Sequence, residues 1–461
     1  MQKAQRNENE LRCHCHGAIF DLESGAVRCA PALKPLQKYK IRMDNDSIEV
    51  DLDKLLPQST QRDDSISENV VIIGGGAAGA AAAESLASAG AYVKVLSKES
   101  VAGPYDRTLI SKRFAEVPLT KEVNENISYL SSTEVLSIDP KAKLLRVKRI
   151  LPDPNKIGCG PKKKWTFEEM RYSKLIVATG MRPRYLPGQS SGITVYNSSD
   201  VERLQELVSG KRVTVVGGSY LGVETAANLV MLKKKNKLES MTLVIGEDHP
   251  LSTPYGEMIG KVVRKKLEDF GIEILSESVV EKVEDEKLIF EHGSEHSFGA
   301  LIQCIGGIPV TSFLPEEVNF TGELVSVNDK FQTSCEDIYA VGDCVKIDGV
   351  SYNPHWAAAQ EMGKAAATHI LTGDATKLRQ TMVWSSFGKV HLRSVGARAD
   401  DCSSQKHYID ETSDRYITAF LNENEHVIGC VTINGDPVCA QVANLLEIHD
   451  HVRLEAFECL F

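Results

Sequence analysis

Residues Asn69 to Glu84, NVVIIGGGAAGAAAAE, decide the fold. The apolar, β-branched run Asn69 to Ile73 reads as a buried strand, and the alanine-rich run Ala77 to Ala89 as a helix stopped by Gly90. Between them lies Gly74-x-Gly76-x-x-Gly79. One glycine permits the tight turn, the next lets the backbone approach a pyrophosphate, and the third lets the helix pack on the strand. Free N–H groups at the helix start then face the anion. A glycine triplet alone is weak evidence, but a strand before it and a helix after it supply the context a dinucleotide site requires. Gly74, Gly76, Ala77, Ala78 and Gly79 are the candidate contacts. The second strand, Tyr92 to Leu96, is followed by Ser97 where a ribose-binding acid is usual, so Glu99 becomes the candidate ribose ligand.

The same strand–turn–helix–strand order recurs at Arg212 to Ile245, around Gly217-Gly218-Ser219-Tyr220-Leu221-Gly222. Ser219 stands at the second-glycine position. Gly217, Ser219, Tyr220 and Gly222 are the candidate contacts of a second dinucleotide. The strand Met241 to Ile245 ends without an acid or an arginine, and Glu247 is the nearest carboxylate. NADH and NADPH therefore both stay open, with a lean to NADH because no arginine waits for a 2′-phosphate. Two such sites in one chain imply a division of labour, a permanent flavin in one and a hydride donor in the other. The fold class is α/β, with two Rossmann-like modules.

The bulk numbers narrow the setting. The 461 residues carry 42% hydrophobic and 25% charged side chains, with a formal charge of −10. That acidity argues against a general nucleic-acid binder. The basic runs Lys162 to Lys164 and Lys233 to Lys237 read as solvated surface, with a docking patch for an acidic redox partner as the minority reading. The longest apolar run, Val70 to Ala83, is shorter than the roughly 20 residues a membrane span needs. The N-terminus lacks an apolar core of the kind that directs secretion. Eleven scattered cysteines read as reduced intracellular thiols or metal ligands.

Further strings resemble the two-dinucleotide-domain flavoproteins of the pyridine nucleotide-disulphide oxidoreductase superfamily. Ala178-Thr179-Gly180 opens a segment that looks like their ATG crossover, Cys304 to Pro309 with Gly306 looks like the turn ending the NAD domain, and Thr333 to Asp343 looks like the second FAD motif. The resemblance implies that Gly342 and Asp343 contact the flavin ribityl chain. Pro104 to Lys112, PYDRTLISK, is similar to a string of ferredoxin reductases and apoptosis-inducing-factor-like proteins, with Thr108 in place of the usual proline. It implies that Arg107 lies near FAD and Lys112 near the reactive flavin edge. Pro354-His355-Trp356 and Trp384-Ser385 resemble segments that bring aromatics to the flavin. Lys112, Glu224 and Trp384 are the candidate catalytic residues; for Glu224 a plain helix-surface position is the competing reading. Tyr220 is expected to cover the nicotinamide pocket. No cysteine occurs between Cys29 and Cys159, and Cys304 has no CxxC partner, so the dithiol of disulfide reductases is missing.

Cys13-His14-Cys15-His16-Gly17, followed by Phe20-Asp21-Leu22-Glu23-Ser24-Gly25, looks like the second half of a Rieske motif. That resemblance implies Cys13 and His16 as metal ligands of a 2Fe-2S cluster. The 12 residues before Cys13 leave no room for the other half. An incomplete ligand set is therefore expected, with a truncated gene or a short form preferred over a degenerate domain. Cys15 and His14 offer substitute or zinc ligands, but four consecutive residues cannot all surround one metal with good geometry, and a metal-free loop is at least an equal reading.

The organisation expected is a partial Rieske-like domain at 1–53, a linker at 54–68, an FAD-binding domain at 69–200 and 324–377, an NAD(P)-binding domain at 201–323, and an α+β domain at 378–461. The chain resembles the Rieske-containing branch of the apoptosis-inducing-factor-like proteins. This implies an FAD-dependent enzyme that passes electrons from NAD(P)H to an iron–sulfur or other one-electron acceptor. The alternative is a signalling protein with secondary redox activity. A thiol reductase is the least favoured. Cytoplasm or mitochondrion is the expected compartment, the latter by family alone, and oligomeric state stays open.

Overall fold

The alanines of Ala77–Ser88 do two jobs. They favour helix, and they are small enough to pack closely on a second alanine-rich helix, Trp356–Thr372, whose Ala365, Ala366 and Ala367 are buried. Both helices share one apolar core with the parallel strands Asn69–Ile73, Tyr92–Leu96, Lys174–Val177 and Ile338–Ala340. Ile127–Leu130 completes a five-stranded sheet. Numbered along the chain, the strands lie in the order 3-2-1-4-5, the doubly wound arrangement expected of a dinucleotide fold.

The computed structural model describes residues 4–32, 35–36, 38–44, 47–55, 69–101, 103–115, 117–118, 124–151, 164–188, 192–231, 238–350, 354–449 and 451–461. Most of the expected linker and the basic residues Lys162, Lys163 and Lys233 to Lys237 lie outside these. The chain divides into two units. The first comprises Met1–Pro104, Pro118–Gly180 and Pro309–Thr381, and the second Tyr105–Val117, Met181–Ile308 and Met382–Phe461.

The first unit holds the five-stranded sheet and, at its N-terminal end, an antiparallel sheet of Gln5–Asn7, Glu10–Arg12, Ile19–Asp21 and Val27–Cys29. This small sheet is tied to the rest of its unit by polar contacts. Arg12, only 1% exposed, donates to the Gln380 carbonyl at 2.8 Å. Arg379 forms a bidentate pair with Glu10 at 2.9 and 2.7 Å. The Ala30 N–H donates to Glu361 Oε1 at 2.7 Å. The unit also contains an antiparallel sheet of Thr133–Asp139, Leu144–Leu151 and Lys164–Arg171 that the sequence reading did not anticipate. Its strands mix lysine, arginine and glutamate with apolar residues and carry no turn motif that singles them out.

The second unit carries its own parallel sheet, Glu273–Leu275, Ser240–Val244, Arg212–Val216 and Ala300–Gln303, again 3-2-1-4 in chain order. It also carries the antiparallel sheet Met382–Phe387, Val390–Gly396, Val427–Ile433, Arg415–Leu421 and Ser404–Asp410. The helix Val438–Ile448 packs on that sheet through Val438, Cys439, Val442 and Leu446.

Candidate active site

In the first unit, Gly74 has φ +110°, and a Cβ there would fall 2.2 Å from the Ala178 carbonyl oxygen. A Cβ at Gly79 would fall 1.9 Å from the Gly74 carbonyl oxygen. Both glycines are therefore demanded by backbone packing around the turn. Gly76 differs, because a Cβ there meets no protein atom within 4 Å. Glycine at that place serves approach from outside the protein, as a pyrophosphate requires. A Cβ at Gly342 would lie 3.1 Å from the Ala78 side chain, so the turn bearing Asp343 meets the same helix start. Gly74, Ala78, Ala178, Thr179 and Gly342 thus converge, and this cradle fits an FAD pyrophosphate and ribityl chain. Glu99 lies beyond the sheet edge, where its carbonyl accepts from Ser132 N–H at 2.8 Å.

His355 caps the helix that begins at Trp356. Its Nδ1 accepts the Ala357 N–H at 3.2 Å, and its Nε2 lies 3.1 Å from Thr381 Oγ1. An accepting Nδ1 leaves the proton on Nε2, so the ring is neutral. Burial holds its pKa down at about 3.

The second unit repeats the turn geometry. Gly217 has φ +125°, with its Cβ position 2.2 Å from the Cys304 carbonyl oxygen, and that of Gly222 lies 1.9 Å from Gly217 O. Gly306 follows Cys304 with φ +87°. Ser219 is exposed at the start of the helix Tyr220–Met231. A Cβ on Gly218 would lie 3.1 Å from a Glu247 carboxylate oxygen, so Glu247 reaches over the turn. The Tyr220 hydroxyl contacts that of Tyr255, which is fully buried and hydrogen-bonded to Ser394 Oγ at 2.7 Å.

The most constrained polar cluster in this unit centres on Glu224. The surface-glutamate reading is overturned: Glu224 is 4% exposed. The Lys112 ammonium donates to its Oε1 at 2.9 Å and Oε2 at 3.1 Å. Ser111 Oγ donates to Oε2 at 2.5 Å, and Ser385 Oγ to Oε1 at 2.7 Å. Asn228, one helical turn on, donates to the Ser111 carbonyl at 3.1 Å. Thr108 explains how its short helix starts without proline: both its N–H (2.9 Å) and its hydroxyl (2.7 Å) donate to Asp106 Oδ1. The N–H bond is one proline cannot make. Arg107 donates to the Tyr196 carbonyl at 2.6 Å and lies over the Tyr196 ring. Trp384 sits half-buried beside Ser385. The structure thus pairs Lys112 with Glu224 directly and adds Ser111, Ser385 and Asn228, to which the sequence reading gave no role. Ser111 and Ser385 stood inside quoted strings; Asn228 had no signal but its place four residues after Glu224.

The thiols point away from disulfide chemistry. Burial pushes Cys304 up to about 12. Cys430 and Cys439 have sulfurs 3.5 Å apart, a pair the sequence reading missed, but both are buried and Cys430 is held far above the usual thiol range. Thiolate, the reactive form, is disfavoured at Cys304 and Cys430.

In the N-terminal sheet the turn after Arg12 is closed by Cys13 N–H to Ala18 O (2.8 Å) and Gly17 N–H to Cys13 O (2.9 Å). It gathers the ligand atoms of Cys13, His14 and Cys15 within 4.8 Å of one another; His16 is not one of the three. A Rieske centre keeps its two sulfurs on one iron and its two imidazoles on the other. Of the two residues that the Rieske pattern assigns, the trio holds Cys13 and not His16, as ligands of two different irons would lie.

Residues 68–363 match the family described as pyridine nucleotide-disulphide oxidoreductase, and residues 1–40 match the Rieske [2Fe-2S] domain. Apoptosis-inducing factor 3 of Homo sapiens is 26% identical over 496 aligned positions, covering 99% of this chain and 78% of its own. Rubredoxin-NAD(+) reductase of Ectopseudomonas oleovorans is 28% identical over 371 positions, covering 74% of this chain and 89% of its own. Among solved structures, a chain of the covalent putidaredoxin reductase–putidaredoxin complex shares the fold with a TM-score of 0.73. It is 21% identical over 85% of this chain and 96% of that one. The NADH-bound, water-forming NADH oxidase of Lactobacillus brevis gives 0.67 at 19% identity, over 83% and 90%. Among the described residues no helix is long and apolar enough to cross a membrane.

Proposed function

The chain belongs to the pyridine nucleotide-disulphide oxidoreductase family, and from that premise we propose that it is an FAD-dependent enzyme that oxidises NAD(P)H and delivers the electrons to an iron–sulfur protein. One observation carries the reading: two separate parallel sheets each end in a turn whose first and third glycines leave no room for a side chain. FAD, when bound, accepts a hydride and releases electrons singly. The Gly74 turn with Ala77, Ala78, Thr179, Gly180 and Asp343 is assigned to it, and the Gly217 turn with Ser219, Tyr220 and Gly306 to the nicotinamide nucleotide.

Glu247 favours NADH over NADPH, since a carboxylate accepts hydrogen bonds from ribose hydroxyls and repels a 2′-phosphate. Lys112 and Glu224 are assigned to catalysis, with Trp384 beside them; two serine hydroxyls hold the carboxylate, which with the Thr108 carbonyl holds the ammonium. The acceptor assignment is supported by the rubredoxin reductase relative and by the buried, high-pKa thiols, which suit neither a peroxide nor a disulfide substrate. Anaerobic titration of the purified yellow protein with NADH should bleach the flavin band, and added ferredoxin or rubredoxin should restore it. A flavin untouched by both NADH and NADPH would sink the proposal.

A further inference from the structure

Tyr255 is a phenol with no accessible surface, and it takes no part in the proposed chemistry. Its hydroxyl lies between two others. It contacts the Tyr220 hydroxyl on one side and is hydrogen-bonded to Ser394 Oγ at 2.7 Å on the other. The two tyrosine rings meet edge to face, with centroids 6.0 Å apart and planes 74° apart. We propose that Tyr255 is a positioning residue: it latches the Tyr220 ring over the nucleotide turn, and the nicotinamide half of the dinucleotide must break that latch to bind. The proposal rests on the assignment of the Gly217 turn to the nicotinamide nucleotide, with Tyr220 as its cover.

The Tyr255 end of the latch is fixed. The chain entering the helix Ser252–Asp269 is bonded to the turn itself, through Leu251 N–H to Gly218 O at 2.9 Å. Gly256, next to Tyr255, has φ +84°, and a Cβ there would fall 2.5 Å from Gln405 Oε1. The helix is therefore seated against the strand Ser404–Asp410 beside the phenol. Burial pushes the Tyr255 pKa up, so its hydroxyl stays protonated and can donate to one neighbour while accepting from the other. The Tyr220 end is different. Tyr220 is partly exposed at the first position of its helix, where backbone N–H groups face an anion. Its ring is the member of the pair that can swing without opening the core.

The test is calorimetric titration of the full-length flavoprotein with NAD+, which carries nicotinamide, and with ADP-ribose, which ends before it. Tyr255→Phe and Tyr220→Phe each remove the hydroxyl contact and keep the ring. Each should tighten NAD+ binding roughly three- to tenfold, the range of one net hydrogen bond, and leave ADP-ribose binding unchanged. The double variant should bind NAD+ no tighter than either single one, because both remove the same bond. Weaker or unchanged NAD+ binding, an equal change for ADP-ribose, or additive effects overturns the latch. Flavin content and melting temperature report folding, and Tyr220→Phe, at a partly exposed ring, carries the test even where Tyr255→Phe does not fold. Bleaching of the flavin by NADH separates the two readings. Where bleaching persists, those outcomes remove the latch alone; a wild-type flavin that neither NADH nor NADPH bleaches removes both.

Discussion

Glu224 shows how much a single buried carboxylate depends on its partners. Its charge is compensated by one ammonium and two hydroxyls, so removing the ammonium alone leaves an anion in the interior. Lys112→Met should therefore destabilise the protein by about 3–5 kcal/mol. The double variant Lys112→Met/Glu224→Met should recover most of that, and urea denaturation of the four proteins gives the cycle; strict additivity would show that the pair is not coupled. His355 makes a pH statement. Its pKa lies at about 3 in the folded chain, below the ordinary 6.5, so the unfolded state binds the extra proton between those values. Stability from the neutral ring is complete above pH 6.5 and is lost as pH falls toward 3. His355→Asn keeps a capping acceptor and should flatten the melting temperature between pH 4 and 6.5 relative to wild type. An unchanged slope would mean that another group sets it. Lys112 was legible because it sits in a recognisable string. The burial of Glu224 was not, since Ser111 and Ser385 lie 113 and 161 positions away in sequence.

At the scale of elements, each glycine turn packs within its own sheet, Gly74 against Ala178 and Gly217 against Cys304, and this makes the two separable. Gly79→Ala should yield protein with little bound FAD, because a methyl group there meets the Gly74 carbonyl. Gly222→Ala places the same clash in the second turn. It should retain FAD yet raise KM for NADH at least tenfold, a loss of about 1.4 kcal/mol. Flavin content and steady-state kinetics of both variants decide this; loss of flavin in Gly222→Ala would break the assignment of one nucleotide to each turn. The same turns explain why the fold could be read early: only glycine satisfies them, so the letters carry backbone geometry directly. The Cys430–Cys439 contact lacked that advantage. It joins the strand Val427–Ile433 to the helix Val438–Ile448, a pairing set by packing in a sheet whose order no local motif encodes.

Across the molecule, the N-terminal sheet belongs to the same unit as the Gly74 turn, and polar contacts tie it to the rest of that unit. Arg12 is the centre of that attachment: its guanidinium is buried and reaches a carbonyl 368 residues away. The Glu10–Arg379 pair is more exposed, where ion pairs contribute less, while the Glu361 acceptor is buried. Arg12→Ala should cost about 1–3 kcal/mol, felt by the small sheet rather than by the whole unit. Native-state hydrogen exchange resolves the two. Amides of Glu10–Arg12 and Ile19–Asp21 should exchange about five- to a hundredfold faster in the variant, while those of Asn69–Ile73 keep their wild-type protection. Equal acceleration in both sheets would mean that the N-terminal strands and the dinucleotide fold open as one cooperative body, and that Arg12 supports the unit as a whole. No acceleration in either would assign the attachment to Glu10, Arg379 and Glu361, leaving the buried guanidinium a passenger.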